Sequence, residues 1–399
     1  MPGFELLGEE EKQQILDVLS RGVLFRYEFD RERGGVYKTA EFEDAFAERT
    51  GAKYALAVSS GTAALKVALA ALGIGPGDEV ITQGFTFVAT WEAILDCGAV
   101  PVFAEIDDTL CMDPEDLKKK ITSRTKAIIP VHMLGGMADI IPIMKVAGEA
   151  GIPVIEDTAQ ACGGTLNGKA LGTFGAFGTF SFDSVKTITT GEGGMIITDD
   201  EAVYVNACEY HDHGHDHDPT VGRGLEKRRF FGMNYRMMEL QGAMGLAQLA
   251  KLDEILRRQR ANKAALRQAL ETAPGVAFRR LPDPSGDTAT FLSFSLPSDE
   301  QARTFNTAMA ENNAGCIYFF ENSWHFYRKW EHLIGKKTVI QSGWPFIGAH
   351  GSERLGYPPD ALPKSNAIMS RTLVIPISNF MDGEIAKITK AVKQASKVL

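Results

Sequence analysis

Between residues 54 and 198 short, almost unbroken apolar runs alternate with stretches whose apolar positions recur at helical spacing. The runs are YALAV (54–58), EVIT (79–82), PVFA (101–104), AIIPV (127–131), PVIE (153–156), FGTFSF (177–182) and GMIIT (194–198). Apolar character that is continuous rather than alternating marks strands buried on both faces. Segments such as TAALKVALAALG and IIPIMKVAGEAG supply the covering helices. Seven strands with interleaved helices predict an α/β domain on an open, mostly parallel, seven-stranded sheet. Beyond residue 236 the pattern changes. MMELQGAMGLAQLAKLDEILRRQRANKAALRQALE predicts one long helix, with Leu246, Leu249, Leu252 and Ile255 at three-residue steps. Shorter strands follow (TFLSFSLP, CIYFF, TLVIPIS), and the chain closes on an amphipathic helix with Ile385, Ile388 and Val392 on one face. The division expected is a large domain over 1–250, with an N-terminal helix available to pack on its neighbour, and a smaller α+β domain over 251–399.

Composition narrows the class without naming it. A chain of 399 residues that is 44% hydrophobic and 23% charged, with 40 glycines, is ordinary for a globular α/β enzyme. A net charge of −9 argues against nucleic acid as a general partner, because binding to phosphate backbones needs a basic face. MPGFELLGEEEKQQ lacks the basic-then-apolar layout of a leader, and no apolar run approaches membrane-spanning length. The cysteines, Cys97, Cys111, Cys162, Cys208 and Cys316, are scattered and never in CxxC spacing, which suits a reduced cytoplasm better than a disulfide framework or a zinc site. The expectation is a soluble cytoplasmic protein with no membrane partner.

In sheets of this class ligands bind beyond the carboxyl ends of the strands, so the residues there carry the chemistry. AVSSGTAAL runs from a strand through Ser59, Ser60, Gly61 and Thr62 directly into a helix, where free N–H groups, hydroxyls and the helix dipole can hold an anion. The GxxxxGK[ST] spacing of a P-loop is absent. PVIEDTAQACGG puts Asp157 at the end of an apolar strand, where a carboxylate needs a cation or strong donors. SFDSVKTITTGEGG then brings Lys186 to a glycine-dense turn after a further strand, a setting in which desolvation turns an amine into a nucleophile for carbonyls. Singly, each has a plain alternative: a Ser N-cap, a helix-capping Asp, a solvated lysine. Together they describe one ligand with a phosphate, a protonatable ring nitrogen and an aldehyde, namely pyridoxal 5'-phosphate.

At these residues the chain resembles the fold-type I, pyridoxal-phosphate-dependent sugar aminotransferases of the DegT/StrS type. FEDAFAERTGAKYALAVSSGTAAL, GDEVITQGFTFVAT, IEDTAQACGG, GTFSFDSVKTITTGEGG and GMNYRMMELQGAMGLAQL stand in family order over nearly the whole chain. The resemblance implies that Lys186 is the Schiff-base lysine and proton carrier, Asp157 the partner of the pyridinium nitrogen and Gln160 the group beside the ring hydroxyl. Phe87 would stack on the ring, a buried helix-face aromatic being the other reading. Gly61, Thr62 and Ser181 would hold the phosphate, and Asn234 would reach it from a neighbouring subunit, which implies a homodimer with shared sites. Some branches carry histidine in place of the lysine and dehydrate instead; a lysine here favours transamination. The implied reaction passes the amine of an amino acid, L-glutamate in most of the family, to a ketosugar.

Two further stretches bear on substrate. The 211–217 loop, with His211, His213, His215 and His217, invites a metal-binding alternative. Alternating His and Asp in a loop with no second cluster assigns no metal, and by the resemblance His213 and His215 fall near the sugar. Arg223, Lys227, Arg228 and Arg229 follow and would meet an anionic substrate, or else form an exposed basic loop. ENSWHFYRKWEHL (321–333) is unusually aromatic, and Trp324 and Tyr327 read as core packing rather than sugar stacking. MPGFELLG, FDSVKTITTGEGG, DHGHDHD and AIMSRT look most like a branch that aminates an eight-carbon sugar acid, 8-keto-3,8-dideoxy-manno-octulosonate, for lipopolysaccharide assembly. The alternative is a nucleotide-linked 3- or 4-keto-6-deoxyhexose.

Overall fold

The computed structural model describes residues 3–218, 220–222, 224–347 and 356–399. The seven apolar runs form seven strands: β1 (Tyr54–Val58), β2 (Glu79–Gln83), β3 (Val100–Ala104), β4 (Thr125–Ile128), β5 (Ile155–Asp157), β6 (Phe177–Ser181) and β7 (Gly194–Thr198). β2 pairs in parallel with β3 and β4, and β5 with β6. Parallel bridges at Ile128–Val154 and Val131–Asp157 join the two halves into the order β3-β2-β4-β5-β6-β7-β1. Only β7 runs against its neighbours. The reason is the connection: residues 182–193 hold no helix, and a parallel return requires a crossover. The segment carrying Lys186 is therefore the loop of an antiparallel pair, hanging off the carboxyl end of β6.

Helix α1 (Glu9–Arg21) and α2 (Lys38–Thr50) precede the sheet; α3 (Gly61–Ala71) follows β1 and α4 (Ala89–Asp96) follows β2. The predicted long helix is in fact two, α5 (Glu239–Ala250) and α6 (Leu252–Leu270), with Lys251 as the joint at φ −92°, ψ −5°. No glycine or proline marks the joint. Its cause is tertiary: the Lys251 ammonium is held by Glu10, Glu11 and the Leu6 carbonyl. Leu252, Ile255 and Leu256 pack with Phe42, Phe46 and Phe180, whereas Leu266 and Leu270 belong to a second core. That second core lies on an antiparallel sheet, β8 (Ala277–Phe278), β9 (Phe291–Ser295) and β10 (Thr372–Pro376), covered by α7 (Asp299–Glu311) and α8 (Asp382–Ala395). As its spacing predicts, α8 turns Ile388 and Val392 inward, with Ile385 partly buried beside them.

Residues 319–347 and 356–362 behave differently. Phe319, Phe320, Trp330 and Leu362 join the same apolar cluster as Trp91, Phe103 and Met133 of the large sheet. Backbone pairing extends the contact: Thr86 N–H donates to the His325 carbonyl, Val88 N–H to that of Trp324 and Tyr327 N–H to that of Gly84, each at 3.0 Å. This lays residues 322–327 beside 84–88, at the carboxyl end of β2.

Candidate active site

A cavity of about 450 Å³ opens at the carboxyl ends of β1, β2, β5 and β6. Ser60, the N-cap of α3, accepts the Ala63 N–H at 3.0 Å through its hydroxyl, and Gly61 and Thr62 of the first turn, whose N–H groups have no acceptor within the helix, line the cavity. Ser181 of β6 is packed against that turn so closely that a methyl on Gly61 would stand 2.7 Å from the Ser181 Cβ. Hydroxyl, N–H groups and helix dipole thus converge on one spot.

Successive side chains of a strand point to opposite faces, and β5 uses this to separate two carboxylates. Glu156 turns away and is saturated: it receives His132 Nε2 at 3.1 Å and the N–H groups of Gly172, Phe174 and Gly175 at 2.9, 2.6 and 2.8 Å. Asp157 turns into the cavity with fewer donors, the Thr90 hydroxyl at 2.9 Å and the Ala159 N–H at 3.1 Å. Among the described residues no cation forms an ion pair with it. Burial, opposed by those donors and by the charges of Lys186 and His132, leaves its carboxyl above the usual range. A cationic group brought opposite would be stabilised there.

Lys186 stands in a turn closed by its own N–H on the Asp183 carbonyl at 3.0 Å. Burial pulls its amine below the usual lysine range, against the opposing charges of Asp183 and Asp157. Gln160 commits its side-chain oxygen to the Leu134 N–H at 2.9 Å, which leaves its NH₂ as the donor toward the cavity. Phe87 is half-buried, with Trp324 stacked on it at 5.6 Å and 24° and His325 tilted at 5.3 Å. Burial first, and the Lys186 charge second, push the His325 imidazole down to about 4, so it is neutral at physiological pH. The set fits pyridoxal phosphate: an anion cradle with no room for a Cβ, a buried carboxylate short of cations, and an amine with a depressed pKa.

The structure brings together Gly61, Thr62, Phe87, Asp157, Gln160, Ser181 and Lys186. It does not bring His213, His215, Arg229 or Asn234 to this cavity within one chain. His213 and Asn234 are exposed. His215 lies 3.4 Å from the Glu226 carboxylate and 3.2 Å from Arg228, and Arg229 is paired with Glu209 at 2.7 Å. Arg223 lies outside the described residues. Among the described residues no three His, Cys, Asp or Glu side chains gather as ligands for a metal ion. Of the two aromatics expected to pack, Tyr327 does, at 2% exposure, whereas Trp324 stays 60% exposed at the cavity rim. Thr90 and His325 were not singled out from sequence. Thr90 follows Phe87 by three positions in the turn that enters α4, its N–H donating to the Phe87 carbonyl at 3.2 Å; His325 arrives through the 322–327 pairing, which leaves no local mark. A larger cavity of about 760 Å³, between α3 and the segment around Phe231, holds none of the residues expected to bind cofactor or substrate.

With this geometry in place, comparison with known proteins gives four findings. Residues 7–343 match the model of the DegT/DnrJ/EryC1/StrS aminotransferase family. The chain is 42% identical to a GDP-perosamine synthase of Vibrio cholerae over 283 residues, 71% of this chain and 73% of that protein. It is 46% identical to a GDP-perosamine synthase of Caulobacter vibrioides over 222 residues, 54% of this chain, a match that spans only 57% of that relative's length. Among solved structures, NtdA from Bacillus subtilis with bound cofactor PMP superimposes with a TM-score of 0.78 at 25% identity, covering 99% of this chain and 84% of that one.

Proposed function

This chain belongs to the DegT/DnrJ/EryC1/StrS aminotransferase family, and from that premise we propose that it is a pyridoxal-phosphate-dependent aminotransferase that passes the amino group of L-glutamate to a nucleotide-linked 3- or 4-keto-6-deoxyhexose. The observation that carries the reaction class is the meeting of Lys186, Asp157 and the α3 N-terminus around one cavity. The names of the relatives favour a nucleotide-linked sugar and lend no support to the eight-carbon acid expected from the sequence.

When bound, pyridoxal phosphate supplies a carbonyl that accepts and returns an amino group, and a protonated ring that withdraws electrons from the bond being broken. The residues supply the rest. The N–H groups of Gly61 and Thr62 and the hydroxyls of Thr62 and Ser181 bind the phosphate. Asp157 keeps a proton on the ring nitrogen, and the attraction is strong because the carboxylate is buried. Lys186 Nζ, a buried amine held below the usual lysine range, would hold and move a proton there as general base and acid. Phe87 would pack against the ring, and Trp324 and the neutral His325, which line the same cavity, would border the space left for the sugar.

The same reading makes the protein a homodimer working in the cytoplasm, supplying an amino sugar for surface polysaccharide such as lipopolysaccharide. Phe231 is 78% and Met233 47% exposed beside Asn234, an apolar patch that asks for cover. All five cysteines are free thiols.

Borohydride reduction of the loaded protein followed by peptide mapping tests the reaction class: the label is expected on Lys186, and a label elsewhere overturns it. Incubating the pyridoxamine form with nucleotide-linked keto-6-deoxyhexoses and with 8-keto-3,8-dideoxy-manno-octulosonate tests the substrate. Turnover of the acid alone would return the assignment to the eight-carbon branch.

A further inference from the structure

The N-terminal stretch lines no part of the cavity, yet it grips the lysine loop at two points. Gly3 N–H donates to the Lys186 carbonyl at 2.7 Å. Gly3 is buried, and a methyl on it would stand 2.5 Å from that carbonyl oxygen, closer than Cβ atoms come without a shift, and 3.0 Å from the Thr189 Cβ. Three positions on, Thr189 N–H donates to Gln248 Oε1 at 3.3 Å, and Gln248 Nε2 donates to Glu11 Oε1 at 2.7 Å. Glu11 is 2% exposed. Burial alone would raise its pKa, but Lys251 Nζ and Gly8 N–H on its other oxygen, both at 2.7 Å, together with Gln248, hold it below the usual range and so ionised. Glu5 meanwhile accepts the Ser378 hydroxyl at 2.6 Å and the Asn379 N–H at 2.7 Å, just past β10.

Such a grip has a use. A lysine amine sits at the end of a long flexible stem, and its loop connects two strands without a helix to brace it. Proton transfer needs the donor placed to within about half an ångström. We propose that residues 3–11 form a positioning clamp for Lys186, with Gly3 anchoring its carbonyl and Glu11, acting through Gln248, anchoring Thr189. Gly3 and Glu11 are positioning residues; neither touches the cavity. The use assigned to the clamp rests on the reading of Lys186 given above, whereas its mechanical action on the loop does not.

The test compares Gly3→Val, Glu11→Ala, Glu11→Gln and the exposed control Lys12→Ala in the full chain. In cofactor-free protein, hydrogen exchange of residues 186–190 is expected to quicken at least about fivefold in Gly3→Val and Glu11→Ala, with α3 unchanged. Glu11→Gln, which keeps an acceptor for Gln248, should fall between, and Lys12→Ala should match the parent. In loaded protein, the pH midpoint of the visible absorption band should shift, and kcat should fall while the KM for the amino donor holds. Parent-like exchange of 186–190 in Gly3→Val and Glu11→Ala overturns the clamp. If Glu11→Ala does not fold, Gly3→Val and Glu11→Gln decide. A parent protein that carries no borohydride label on Lys186 would strike the functional reading and leave the exchange result to judge the clamp.

Discussion

Asp157 shows why a residue suited to a reaction can be a burden to the fold. Its carboxyl is buried with two donors, and its pKa lies above that of an unfolded chain. The folded form therefore binds more proton than the unfolded one once pH passes the unfolded value, so stability falls as pH climbs from there through the folded pKa. At neutral pH an uncharged isostere removes that cost. Asp157→Asn is expected to raise the melting temperature of the cofactor-free protein while cutting turnover about 10²–10³-fold, the usual worth of a buried group that stabilises charge in the reaction. Differential scanning calorimetry and steady-state rates check both halves; a lowered melting temperature at pH 7 would show that the carboxylate supports the fold. Lys186, pulled below its usual range by burial, completes the logic: the amine and the acid are each held toward neutrality until a cationic, carbonyl-bearing ligand arrives between them.

At the scale of elements, the start of α3 is the part most sensitive to shape. Ser60 was legible as an N-cap, and Gly61 as the glycine beside an anion. The resemblance puts Ser181 on the same phosphate, but that it packs against Gly61 too closely for a Cβ was not legible, because those residues are 120 positions apart and meet only when β7 slots between β1 and β6. Gly61→Ala adds one methyl to a gap already closed, and overpacking of that kind costs about 1–3 kcal/mol. Because the helix start must shift to relieve it, the strain falls on anion binding. Titration of the cofactor-free protein with pyridoxal phosphate should show affinity reduced about 10–100-fold with the far-ultraviolet spectrum unchanged. Unaltered affinity would mean that the phosphate is held elsewhere. The joint at Lys251 teaches the same lesson from the opposite side, since a continuous helical pattern conceals a break imposed by Glu10, Glu11 and Leu6.

Across the whole molecule, the residues that stand apart from the cavity within one chain, Asn234 foremost, lie beside the apolar patch at Phe230, Phe231 and Met233. If the patch is the seat of a second copy, Phe231→Glu should leave the chain folded but monomeric by sedimentation, with activity lost; a dimer of parent stability in that variant would move the interface elsewhere. The seven apolar runs, the N-cap at Ser60, the strand-end Asp157 and the looped Lys186 were all determined by the sequence itself, because each depends on local periodicity or on a residue type at the end of an element. The order of the strands, the reversal of β7, the delivery of Trp324 and His325 to Phe87, and the hold of Gly3 on Lys186 were decided by tertiary structure alone. They depend on backbone groups pairing, and on surfaces closing, between segments far apart in the chain, and neither leaves a mark on the residues nearby.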